Sequence, residues 1–131
     1  IDYRDWHVPL GRRFRALKLW FVLRSYGAEN LRTFIRSHVA WAEELESKVI
    51  NDSRLELTAP RTLALVCFRH TDGNDATKEL ADAINDSGSA YVTPSVTDDV
   101  AYIRVSIGST WTEQRHVEDL WDLIDSNAGL K

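Results

Sequence analysis

The chain has 131 residues, is 44% apolar and 27% charged, and carries a formal net charge of −4. That is enough chain for one ordinary soluble domain. It is too acidic overall for a nucleic-acid binder, and no apolar run is long enough to span a bilayer. The single cysteine, Cys67, excludes an internal disulfide framework and fits a reducing compartment. The first residues are charged and aromatic, not basic then apolar, so they do not read as a secretory signal. The sequence contains no methionine, so it does not begin at its own start codon; processing or excision from a longer protein accounts for that.

Asp2 to Trp6 and Pro9 to Arg15 pack arginines, a proline and a glycine into the entrance of an apolar helix. Pro9 suits a first helical turn, and the helix is expected to run to Tyr26 and stop at Gly27. Leu10, Phe14, Leu17 and Phe21 form one stripe, and Ala16, Leu19 and Leu23 another. A helix with two apolar faces is expected between two layers. A second helix is predicted from Glu29 or Asn30 to about Val49, with Leu31, Ile35, His38, Ala42, Leu45 and Val49 inward. His38 then reads as a hydrogen-bonded core histidine. Asn51-Asp52-Ser53 is turn chemistry.

The period then changes. Leu55 and Leu57 alternate with Arg54 and Glu56, as in a half-exposed strand, and Thr62 to Phe68 reads as a central strand. Cys67 lies inside this run and is expected to be a buried, inert thiol. Thr71 to Asn74 is a loop, and Asp75 to Asp86 a short helix with Leu80, Ala81 and Ile84 inward. Ala90 to Thr93 is a third strand that Pro94 ends or puts at an edge. Asp98-Asp99 is a solvated turn, and Val100 to Ile107 is a fourth strand. Thr110 with Glu113 reads as a capping box opening a last helix with Val117, Leu120, Trp121 and Ile124 inward. The order is an α/β sandwich, a small and mainly antiparallel sheet covered by helices.

No phosphate loop, metal-ligand spacing or nucleophile elbow is present, and the four histidines share no helix face at ligand spacing. Two sets of residues stand out. Arg104 shares a strand face with Tyr102 and Ser106, opposite Ala101, Ile103, Val105 and Ile107. A mid-strand arginine calls for an internal ion pair, an exposed sheet face, or a carboxylate held by its planar fork. Arg4 and Arg12 sit at a helix start, where cations oppose the macrodipole. Gly11 costs about 1 kcal/mol there against alanine, which close approach by another group would explain.

The run Asp2 to Phe21 closely resembles a segment of the group II pyridoxal-phosphate decarboxylases, the aromatic L-amino acid, tyrosine, tryptophan and histidine decarboxylases. The resemblance continues through Arg24 to Gly27, Ile35 to Val39, Leu63 to Arg69, Tyr102 to Gly108 and Thr112 to Val117. It implies the type I fold, a homodimer with interface sites, pyridoxal 5′-phosphate as cofactor and an amino acid as substrate. The chain looks like the C-terminal part: residues 1–27 the end of the large domain and linking helix, residues 28–131 the small α/β domain. The implied chemistry is that of a cytoplasmic lyase in carboxylic acid metabolism, removing an α-carboxylate with the cofactor ring as electron sink.

The family's cofactor lysine lies in a His-Lys pair, which this sequence lacks; Lys18, Lys48 and Lys78 sit in other contexts. The cofactor and catalytic residues are therefore expected in the missing upstream part, and this chain alone should be inactive. By resemblance Gly11 lines the substrate side-chain pocket, and glycine there matches enzymes taking large catechol or indole groups. Arg104 matches a strand arginine near the active site, one that contacts a ligand carboxylate in related glutamate decarboxylases. Arg4 matches an arginine at the site's rim and, with Arg12, is assigned a structural role near it. His7 departs from the family's common glutamine. An aldehyde synthase would share these features. The reading that needs no family is a free-standing, non-catalytic α/β module binding a ligand or partner.

Overall fold

A computed structural model describes residues 2, 6 and 13–129. The elements follow the predicted order: helices α1 (Arg15–Tyr26) and α2 (Ala28–Asn51), strands β1 (Leu55–Leu57) and β2 (Leu65–His70), helix α3 (Asn74–Asp86), strands β3 (Thr93–Thr97) and β4 (Val100–Ser106), and helix α4 (Gln114–Asn127). The chain divides into two compact units, Ile1–Phe34 and Ile35–Lys131.

In the first unit, α1 ends where expected. Gly27 takes φ +75°, a left-handed conformation that glycine adopts without penalty, and its amide donates to the Leu23 carbonyl at 3.0 Å. The start differs: Arg13 and Phe14 are not helical, and Phe14 offers no side-chain cap. Pro9 and Leu10 lie outside the described residues. The expected burial of the two stripes is not met among the described residues, because α1 has no buried residue. Trp20 and Phe21 are more than half exposed and stack edge to face at 5.1 Å.

The second unit is a four-stranded antiparallel sheet in the order β1-β2-β4-β3. β4 lies between β2 and β3, so β2-α3-β3 is a split βαβ unit with a strand inserted at its centre. Val66, Phe68, Ile103 and Val105 point to one face and join the buried residues of α2, α3 and α4 in a single core. The helical positions Ala42, Leu45, Val49, Leu80, Ala81, Ile84, Val117, Leu120 and Ile124 are buried as the 3.6-residue period requires, and Trp121 packs at the margin. His38 is buried beside Trp41. Ile35, expected inward, is 56% exposed; it stands one turn before the first α2 position to enter the core, His38.

Three boundaries move, those of β2 and β3 because local hydrogen bonds compete with the ladder and that of α4 because another residue caps it. Thr62 and Leu65 exchange backbone hydrogen bonds around Leu63 at φ +52°, so β2 begins after that tight turn and not at Thr62. The Asn85 side chain takes both backbone groups of Val92, at 2.8 and 3.1 Å. That withholds Val92 from the sheet, and β3 begins at Thr93 with Pro94 on the outer edge strand. Thr110 does not cap α4. Glu113 does, with His116 completing the box by accepting the Glu113 amide on Nδ1 at 3.1 Å. Asp98 and Asp99 form the expected turn between β3 and β4, both at positive φ, as a two-residue type I′ hairpin requires.

Candidate functional site

Within the second unit the helices cover one face of the sheet and leave the other polar. On that open face Cys67 of β2 and Thr93 of β3 flank Arg104 of β4 in register. Ser95 lies opposite Tyr102, Leu65 opposite Ser106, and the Tyr102 and Thr97 hydroxyls are 3.1 Å apart. The pleat places Tyr102, Arg104 and Ser106 on this face together, as the alternation predicts.

The Arg104 side chain is exposed and makes no hydrogen bond or ion pair with any described residue. Arg69, on the same face, is paired with Glu56 across the β1–β2 ladder. Of the three expectations for Arg104, the internal ion pair is therefore excluded among the described residues. What stands is a planar, five-donor cation on an open sheet, bordered by hydroxyl groups. Such a surface can orient a carboxylate; it holds no general acid–base pair. Asp98 and Asp99 are exposed at the hairpin tip.

Cys67 corrects an expectation. It is half-exposed on the open face, not buried, because the core takes Val66 and Phe68 on either side of it. It lines a depression of about 390 Å³ with Thr58, Thr97, Asp98 and Tyr102. Gly11, Arg4, Arg12 and His7 lie outside the described residues.

A second polar cluster escaped sequence reasoning. Arg54 binds Asp52 through Nε and Nη2, and reaches the Asp125 carboxylate and carbonyl on α4. This hydrogen bonding holds the Asp52 carboxyl below the usual carboxylate range; burial opposes the shift, and charge on His70 adds to it. The same bonds push the Arg54 guanidinium above its ordinary value. His70, buried at the end of β2, lies beside them. Its Ala128 partner is 58 residues away in sequence, and the Asp125 partner of Arg54 is 71 away, so no local motif announces the cluster.

Neither site contains a lysine among the described residues to form a Schiff base with pyridoxal phosphate. No described lysine lies on the open face. Lys48 is taken up over the Trp121 ring, 5.6 Å from its centre. Among the described residues no group of three or more His, Cys, Asp or Glu side chains could bind a metal. No described helix is long and apolar enough to cross a membrane.

The pyridoxal-dependent decarboxylase conserved domain matches residues 1–71. Tryptophan decarboxylase 2 of Oryza sativa subsp. japonica is 42% identical over 98% of the chain, and phenylacetaldehyde synthase of Arabidopsis thaliana is likewise 42% identical over 98%. The crystal structure of Catharanthus roseus tryptophan decarboxylase in complex with L-tryptophan superposes with a TM-score of 0.82, at 40% identity over 98% of the chain. The chain spans 27% and 28% of the length of those two relatives and 29% of the solved chain. A match of this depth over a sheet with these strands, and over the helices before it, leaves one assignment: the chain belongs to the pyridoxal-dependent decarboxylase family.

Proposed function

We propose that this chain is the C-terminal part of a pyridoxal-phosphate-dependent decarboxylase that converts an aromatic L-amino acid to its amine and carbon dioxide. One observation carries the reading: the likeness to aromatic amino acid enzymes runs over 98% of the chain, through both of its units. The rest of the subunit supplies the cofactor lysine, and the 131-residue chain alone is inactive. The assembled enzyme is a cytoplasmic homodimer.

The cofactor, when bound, supplies an electron sink for the carbon that loses its carboxylate. This chain's residues bind and orient. Arg104, unpaired among the described residues, keeps its guanidinium fork available for a carboxylate. Gly11 leaves room for a large aromatic side chain.

The test is a chimera in which the chain replaces the segment it matches in Catharanthus roseus tryptophan decarboxylase. Carbon dioxide release is measured with L-tryptophan, L-dopa, L-tyrosine and L-histidine. Activity of the chimera, with none from the chain alone, supports the reading. Gly11→Ser should shift preference away from the indole substrate. Decarboxylation by the isolated chain would sink the proposal, and so would a folded, cofactor-loaded chimera that is inert to all four amino acids.

The phenylacetaldehyde synthase among the relatives favours a second reading, an aldehyde-forming enzyme. It is separated from the first by assaying aldehyde against amine in the parent protein.

A further inference from the structure

His70 carries a chemical asymmetry that the proposed function does not use. Its Nδ1 accepts the Asp72 amide hydrogen at 3.0 Å, so Nδ1 bears no proton. The proton is then on Nε2, 2.9 Å from the Ala128 carbonyl, to which it donates. That carbonyl belongs to the C-cap of α4, where helical acceptors lack partners within the helix. The ring thus joins the β2–α3 turn to the end of α4, one nitrogen to each.

Adding a proton affects the two sides differently. Nε2–H donates to Ala128 in either state. Nδ1 changes from acceptor to donor, and the Asp72 amide then faces another N–H. The Asp72 carboxylate can accept the new N–H, with Oδ2 4.0 Å from Nδ1. Reaching it requires the turn to move, and the turn has the means: Gly73 follows at φ +104°, where a side chain would be strained. The His70 backbone itself is fixed, its amide donating to the Thr77 hydroxyl at 3.0 Å.

Charged groups surround the ring. Asp52 and Arg54 face the ring from the α2–β1 turn, Asp72 from its own turn and Glu79 from α3, while Asp125 of α4 is held by Arg54.

We propose that His70 is a proton-operated switch in which Nδ1 exchanges the Asp72 amide for the Asp72 carboxylate, resetting the turn that starts α3 while α4 stays anchored. The test is ¹H–¹⁵N NMR of the 131-residue chain from pH 8 to pH 5, the range in which histidines change charge. The Asp72 amide should leave its hydrogen-bonded shift with the midpoint of the His70 ring, and its exchange protection should fall about tenfold, the worth of one hydrogen bond. Ala128 should keep its protection. His70→Gln keeps a donor for Ala128 without a titrating group and should abolish the Asp72 transition. Asp72→Asn removes the competing carboxylate and should move the ring's midpoint to lower pH. A ring that titrates without moving the Asp72 amide overturns the proposal; so does an Asp72 transition that persists in the glutamine variant, or a midpoint unchanged by Asp72→Asn.

Discussion

Two regions of this chain are similarly rich in large apolar residues and use them in opposite ways. From α2 onward the apolar positions of three helices and a sheet close over one another, leaving Phe68, Ile84, Ile103 and Ile124 without accessible surface. In α1 Leu17, Leu19, Trp20, Phe21, Val22 and Leu23 are all exposed by more than two-fifths. The difference teaches that hydrophobic content specifies a core only when a second layer faces it. The small sheet has three helices to cover one face; among the described residues of α1 none is buried.

The largest test of that contrast is Phe68→Ala. It removes a fully buried ring from a central strand and should cost about 3–5 kcal/mol by urea denaturation. The second unit should then unfold or lose most of its cooperativity.

Arg54→Ala should come next, at about 2 kcal/mol, because it strands the Asp52 carboxylate, which is mostly buried. It also has a pH signature. The folded Asp52 carboxyl is held lower than its unfolded value of about 3.9. Its contribution is therefore fully present above the unfolded value and lost as pH falls through the folded one. Urea midpoints between pH 6 and pH 2.5 should fall less steeply in the variant than in the parent.

The smallest effects should come from the other region. Trp20→Ala should change the stability of the isolated chain by less than about 0.5 kcal/mol, since the ring is 56% exposed. In the tryptophan decarboxylase chimera the same substitution should be much more costly, measured as a lowered melting temperature. Equal, small effects in both settings would show that α1 stays uncovered in the assembled enzyme. Arg104→Ala should likewise leave the isolated chain within about 0.5 kcal/mol of its parent, while raising KM for the amino acid in the chimera.

The same contrast explains what was legible in the sequence. The order of all eight elements followed from periodicity, because most helices and strands here bury a face with the expected spacing. The side of β4 that carries Arg104 followed from strict alternation. The starts of β2 and β3 did not, since Leu63 at positive φ and the Asn85 amide act through geometry that no apolar pattern encodes. The exposure of Cys67 was hidden by its apolar neighbours, which made an alternating strand look continuously buried. The Arg54–His70 cluster was hidden for another reason: its members meet only after the chain has folded back on itself.

The inserted position of β4 also has a consequence for how the chain acquires its fold. β2 finds β1 within a few residues, yet its other edge waits for β4, with Leu65 pairing to Ser106. During synthesis that edge, with the thiol of Cys67 beside it, is open while all of α3 and β3 emerge. Sequence-distant pairing of this kind slows folding and prolongs exposure of a bare strand to other chains. The hairpin turn at Asp98-Asp99 shortens that interval, because it lets β3 and β4 reach β2 as an assembled pair.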